Sequence, residues 1–91
     1  MKTPELLALA RQKAEEHGLR PEFFCAVIEQ ESGWNEYAAR LEPAFFSRYI
    51  APLVLKGQVP SGTEAYFRAT SWGLMQCLGQ VAREFGFKGQ F

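Results

Sequence analysis

The sequence predicts an all-helical (all-α) fold, in one domain covering residues 1–91. Three observations carry this expectation. Apolar residues recur at spacings of three and four, with no convincing alternation of two that would mark a strand. Proline or a capping residue opens the main helical runs, and glycine closes them. A hydrophobic content of 47%, with 14% aromatic residues, supplies a small core and argues against disorder.

The first helix is expected from Pro4 to His17. Thr3 caps it, Pro4 suits its first position and Gly18 ends it. Leu6, Leu7, Ala10 and the Lys13-Ala14 pair set its inner stripe, and His17 serves as a C-terminal helix residue. Pro21 opens a second helix that runs to Glu31 or Ser32, where Gly33 stops it. Residues 34–42 lack a clean period, and Trp34 to Leu41 reads as a loop with at most one helical turn. Pro43 starts a third helix through Phe45, Phe46, Tyr49 and Ile50. Pro52 then forces a break, or a fresh start that continues through Leu55. Lys56 to Pro60 is a turn or linker. Ser61 and Glu64 have the spacing of a capping box, leading a helix from Gly62 to about Thr70. Ser71-Trp72-Gly73 breaks the pattern. Leu74 to Phe85 is the last expected helix, with Leu78 and Val81 on its inner face and Cys77 and Phe85 beside them. Beyond Gly86, the tail bearing Phe87 and Phe91 either folds back on the domain or marks a truncated chain, and truncation is the favoured reading.

Composition removes several kinds of function. Ten basic and ten acidic residues cancel, so no global field steers the protein toward nucleic acid or anionic lipid. All ten acids are Glu, which excludes EF-hand loops and Asp-based triads within this chain. His17, Cys25 and Cys77 have no recognised zinc spacing, so no metal and no cofactor is expected. The two cysteines read as free thiols in the core, each inside a helix. No segment is long and apolar enough to span a bilayer, and the N-terminus has no secretory cleavage signature. The chain is expected to be made in the cytoplasm. It would reach a cell wall after lysis, or as part of a virion or larger protein.

One acid stands out. On a helical period Phe24, Val27, Ile28 and Glu31 share a face, which puts a carboxylate where a fourth apolar residue is expected. Burial without a partner would raise its pKa and make it a usable general acid. Glu29 lies roughly 200° around the same helix, toward solvent. The bland alternative for Glu31 is a surface acid that frays into water. Its neighbours favour chemistry: Gly33 opens a turn, Trp34 offers a flat apolar surface for a sugar ring or for shielding a carboxyl, and Ser32 can orient the carboxylate by a local hydrogen bond. Gly73-Leu74-Met75-Gln76 is placed at a helix start after a break, where Gly73 permits close backbone approach and Gln76 can donate and accept. Leu74 and Met75 suit the core as well as a ligand. Trp72 and Tyr66 could line a groove. Arg40 is either half of a surface ion pair with Glu42 or a cleft residue that tunes Glu31 or binds an acidic or N-acetyl group.

The run Ala26-Val27-Ile28-Glu29-Gln30-Glu31-Ser32-Gly33-Trp34-Asn35 resembles the catalytic motif of the soluble lytic transglycosylase (SLT-type) family, whose members share the lysozyme-like fold. Gly73-Leu74-Met75-Gln76 is similar to that family's second motif. The resemblance covers roughly residues 4 to 89. Residues 40–49 look like an insertion of phage-type or prophage-type members. The resemblance implies that Glu31 is the catalytic acid/base and Ser32 its structural companion. It also implies that Gly73, Leu74, Met75 and Gln76 line the substrate cleft, and Ser32, Trp34 and Arg40 are expected to join them in substrate binding. A further family motif, Ala-Tyr-Asn, is missing, so the fold is expected to be incomplete at the C-terminus, with only the N-terminal catalytic portion present.

The implied substrate is the glycan strand of peptidoglycan, cut at the β-1,4 bond between N-acetylmuramic acid and N-acetylglucosamine. The implied partner is that strand, within a possible phage or cell-wall assembly, and not a nucleic acid. With no Asp, and no second Glu in a compelling position, a single-carboxylate route fits better than a two-carboxylate one. Glu31 would protonate the leaving oxygen and then deprotonate the muramoyl 6-hydroxyl, giving a 1,6-anhydro product. Val27, Ile28, Trp34 and Met75 are the expected apolar surround. The alternatives are a hydrolytic muramidase and a non-catalytic peptidoglycan-binding or structural remnant of the same fold.

Overall fold

Proline and glycine punctuation places the first two helices where the sequence puts them. In the computed structural model, which describes residues 1–91, helix α1 spans Pro4–Glu16 and helix α2 spans Pro21–Ser32. The Thr3 hydroxyl accepts the Leu6 N–H at 3.1 Å, and His17 forms the C-cap. Gly33 ends α2 with φ 58, a left-handed conformation that glycine adopts without a Cβ clash. The residues form two compact units, Met1–Ala38 with Gly73–Met75, and Ala39–Trp72 with Gln76–Phe91.

In the first unit α1 packs on α2. Ala10, Ile28 and Trp34 are buried there, with Leu6, Leu7, Phe24, Cys25 and Leu74 packed against them. The tail of this core is unusual in its backbone. Trp34 follows Gly33 with φ 66, so two successive residues are left-handed and the chain reverses sharply. That reversal carries the indole inside, where it is only 2% exposed. Such a backbone is costly for a bulky residue, by about 1–3 kcal/mol, and persists where burial of a large ring outweighs it. The Trp34 carbonyl accepts a hydrogen bond from the Met1 ammonium at 2.7 Å, and the same ammonium lies 3.6 Å from the Glu36 carboxylate.

The second unit corrects the all-helical expectation. It is mostly helical, but it holds a three-stranded antiparallel sheet, β1 (Ala39–Leu41), β2 (Thr70–Trp72) and β3 (Cys77–Leu78), in that order. Ala39 pairs with Trp72, Leu41 with Thr70, and Trp72 with Cys77. Strands of two or three residues are too short to show a period of two, so the sequence carries no sign of them. The segment expected to be a loop ends in β1, and the Ser71-Trp72-Gly73 break is the end of β2. Cys77 lies on β3 and is exposed, not in a helix or the core. Both cysteines are free.

Between β1 and β2, α3 (Pro43–Phe45) passes into a π-helical turn (Phe46–Ile50) and then α4 (Ala51–Leu55). The break expected at Pro52 is therefore a π turn. Proline has no N–H to donate and clashes with the carbonyl four residues back, and widening the preceding turn relieves both. Ile50, Val59, Ala65 and Ala69 form the core of this unit, with Phe45, Phe46, Leu53 and Val54 around it. Phe46 stacks on Tyr66 with ring centroids 4.6 Å apart.

Helix α5 spans Thr63–Arg68 and α6 spans Gly79–Glu84, both shorter than expected. The expected capping box does not form. Gly62 is the N-cap, with φ 85 and ψ −133, and Ser61 makes no capping bond. Entry through glycine moves the helix start by one residue and leaves the Glu64 carboxylate to the guanidinium groups. Arg83 Nε and Nη2 donate to it at 2.9 and 3.0 Å, and Arg68 Nε donates at 2.7 Å. Phe85, expected beside the inner face, is 88% exposed, because α6 ends at Glu84 and Phe85 is its C-cap. Gly79 is buried, and a Cβ there would run into the Phe67 carbonyl and meet the Arg68 Cα at 3.0 Å, so only glycine lets α6 approach the end of α5.

The Glu64 clamp has a consequence in acid. Hydrogen bonding from Arg83, helped by Arg68 and opposed by desolvation, lowers the Glu64 carboxyl from 4.5 to about 2. A depressed carboxyl stabilises the fold above its unfolded pKa, and that stabilisation is lost as pH falls from about 4.5 through 2. With Glu64 partly open to water, the loss is expected to be about 1–2 kcal/mol. Urea melts at pH 5 and pH 2.5 should show this excess loss in the natural chain and not in Glu64→Gln. An equal loss in both would remove the assignment.

Candidate active site

The burial stripe of α2 explains where its acid goes. Ile28 is buried, and Ser32, one turn further on, is half-buried. Glu31 therefore stands on the shoulder of the stripe and is exposed, which corrects the expectation of a buried carboxylate. No ion pair or hydrogen bond engages it. The Ser32 hydroxyl donates back to the Ile28 carbonyl at 3.2 Å, so it fastens the last turn of the helix and does not hold the carboxylate.

The expected apolar surround is present in part. Val27 is half-buried and Met75 is 37% exposed, whereas Ile28 and Trp34 are core groups of the first unit. Trp34 has no open face on which a sugar could stack, because its ring lies among Ala10, Ile28 and their neighbours.

Gly73-Leu74-Met75-Gln76 is not at a helix start. These four residues are the turn of the β2–β3 hairpin, with φ 75 at Gly73 and φ 52 at Gln76. Gly73 N–H donates to the Ala38 carbonyl at 2.8 Å. Leu74 packs on the Ile28–Trp34 core, so the structure joins part of this second segment to the unit that carries Glu31.

Arg40 lies on β1 in the second unit and is largely exposed, with its Nε 3.6 Å from the Glu42 carboxylate. Glu42 also accepts from the Ser71 hydroxyl at 3.4 Å. Of the acids that follow Glu31, Glu36 lies 3.6 Å from the Met1 ammonium, and Glu42 contacts Arg40 and Ser71.

A family model described as the transglycosylase SLT domain matches residues 8–90. The chain belongs to that family. SLT membership makes it a lytic transglycosylase at the level of the family, with peptidoglycan as the substrate class, and the mostly helical fold agrees with the lysozyme-like architecture of such domains. No curated protein and no solved structure matches the chain. No helix of this SLT domain is long and apolar enough to cross a membrane. No group of His, Cys or Glu side chains is arranged to hold a metal ion.

Sequence reasoning missed the Glu64–Arg83 clamp in this SLT chain. Its partners are 19 residues apart, on different short helices, and no local spacing announces such a pair. It did flag Trp72 as a possible groove residue. The Trp72 indole N–H donates to the Phe67 carbonyl at 3.0 Å, and its ring face is stacked on Phe91.

Proposed function

We propose that this SLT domain cleaves the β-1,4 bond between N-acetylmuramic acid and N-acetylglucosamine, with Glu31 serving as acid and then as base. The observation that carries the reading is the state of Glu31. It lies in the last turn of α2 within a Glu-Ser-Gly sequence and is open to solvent, while Glu42 and Glu64 are tied to cations. A carboxyl with no internal partner is free to exchange protons with a substrate.

The steps follow from one carboxyl group. Protonated Glu31 donates to the glycosidic oxygen as the bond to the anomeric carbon breaks. The substrate's own acetamido group stabilises the electron-poor anomeric centre. Glu31, now ionised, takes the proton of the muramoyl 6-hydroxyl, and that oxygen closes on the anomeric carbon to give the 1,6-anhydro sugar. No water is consumed and no second carboxylate is required, in keeping with a chain that has no Asp. Because Glu31 is exposed, a glycan ring lying over it excludes water from the reacting groups. Ser32 fixes the helix end that carries the acid, and Gly73, Leu74 and Met75, in the same unit, form a turn that would contact the strand.

Product analysis tests the chemistry. Peptidoglycan digested by the protein and examined by mass spectrometry should yield muropeptides with anhydro ends, lighter by one water than reducing ends. Reducing ends would make it a hydrolytic muramidase. Binding to the glycan without release of any product would make it a non-catalytic module of the same fold.

A further inference from the structure

We propose that the face of Trp72 is a sugar-stacking site that the chain's own tail, through Phe91, occupies in the free protein. The ligand class, an N-acetylhexosamine of a β-1,4 glycan, rests on the function proposed above. The site itself rests on the second unit alone.

After α6 the tail turns back over the end of α5 and the β2 strand. Phe91 lies parallel to Trp72, with ring centroids 5.4 Å apart and planes at 10°. Phe67 meets both rings edge-on. Arg83 holds the tail's backbone: its Nη1 donates to the Phe87 carbonyl at 2.9 Å and to the Gly89 carbonyl at 2.8 Å. The same guanidinium lies 4.3 Å from the centre of the Phe91 ring. Its remaining nitrogens stay on Glu64, so the donor pair facing the tail is aimed whether or not the tail is there.

The tail is not packed as a core segment would be. Two open clefts border it, one of about 590 Å³ lined by Pro60, Arg68 and Phe87 among others, and one of about 500 Å³ lined by Thr63, Phe67 and Phe91. Glu64, Arg83 and Lys88 border both. The segment is a strap held by the rings around Phe91, by Arg83 and by the Phe87 N–H, which donates to the Ala82 carbonyl at 3.0 Å.

What the strap offers defines what could replace it. It presents a flat apolar face to an indole and carbonyl oxygens to a fixed pair of N–H donors. An N-acetylhexosamine has both: the C–H face of the pyranose ring for Trp72, and the acetamido carbonyl for Arg83. The indole N–H is already used by Phe67, so recognition falls to the ring face and the arginine. A glycan binding here must first displace the strap, which lowers its apparent affinity by the fraction of chains with the site open.

The test uses chitotetraose and proton NMR of the two indole N–H signals, Trp34 and Trp72, assigned with Trp72→Phe. Titration should move the Trp72 signal and leave that of the buried Trp34 in place. Phe91→Ala should tighten the apparent Kd by about two- to tenfold, the worth of one aromatic stack, with Phe91→Leu between the two. Equal affinity in the natural chain and Phe91→Ala, no shift at Trp72, or a Phe91→Ala variant that no longer folds would each overturn the proposal. A shift at Trp72 with N-acetyl-phenylalanyl-glycinamide and none with the sugar would also overturn it, and would point to an aromatic peptide as the ligand. The readout involves no bond cleavage, so a failure of Glu31 as the acid leaves it standing. A silent Trp72 likewise leaves the product assay standing.

Discussion

Glu31→Gln is expected to lower cleavage of peptidoglycan by at least about 10³-fold while leaving the protein folded. Glutamine keeps the length and the hydrogen-bonding shape of the side chain but has no proton of carboxylic acidity to give. In the proposed cycle the same group acts twice, so its loss removes both protonation of the leaving oxygen and activation of the 6-hydroxyl. The exposure of Glu31 makes the test clean. An unpaired surface group can be exchanged within about 0.5 kcal/mol of stability, so the melting temperature should not move appreciably. Glu29→Gln is the matched control. It removes an exposed acid from the same helix two residues away, and its turnover should equal that of the natural chain. Retained turnover in Glu31→Gln, measured as release of soluble muropeptides, would end the assignment.

Trp34→Ala should have the largest effect on stability, about 3–5 kcal/mol. The ring is among the largest fully buried side chains, and its removal opens the first unit's core between Ala10, Ile28 and Leu74. Alanine also inherits a left-handed backbone with much less burial to offset it. A chain of this size has only about 5–10 kcal/mol in total, so the variant should be partly unfolded at 37 °C. Urea denaturation measures the loss directly. A Trp34 that served a bound sugar and not the core would behave differently: KM would rise and the urea midpoint would stay. The structure favours the first outcome, since an indole that is 2% exposed has no face to offer.

These two residues show how far the sequence could be read. Both lie in one short stretch, and the resemblance to SLT-type enzymes rests on it. Yet periodicity put Glu31 inside and left Trp34 open to a ligand, and the structure reverses both. The error has one cause. A helical period gives the width of an apolar stripe but not its centre, and here the centre runs through Ile28 and Ser32, which leaves Glu31 on the shoulder. The path of Trp34 depends on two consecutive left-handed residues, of which only the glycine is foreseeable.

The sequence by itself determined the elements that depend on near neighbours. Thr3 with Pro4, Pro21 and Gly33 bound α1 and α2 closely, Pro52 disturbs its helix, and the motifs place the chain in a family that the match over residues 8–90 bears out. Each of these signals acts within a turn or two of chain, through a missing N–H, a cap or a permitted φ. Only the tertiary structure decided what depends on residues far apart. It pairs Ala39 with Trp72, brings Arg83 to Glu64, sets Gly73-Leu74-Met75-Gln76 in a hairpin turn and lays Phe91 on Trp72. Strands of two or three residues, and salt bridges across nineteen, form because packing brings their partners together, and no local pattern in the chain encodes that meeting.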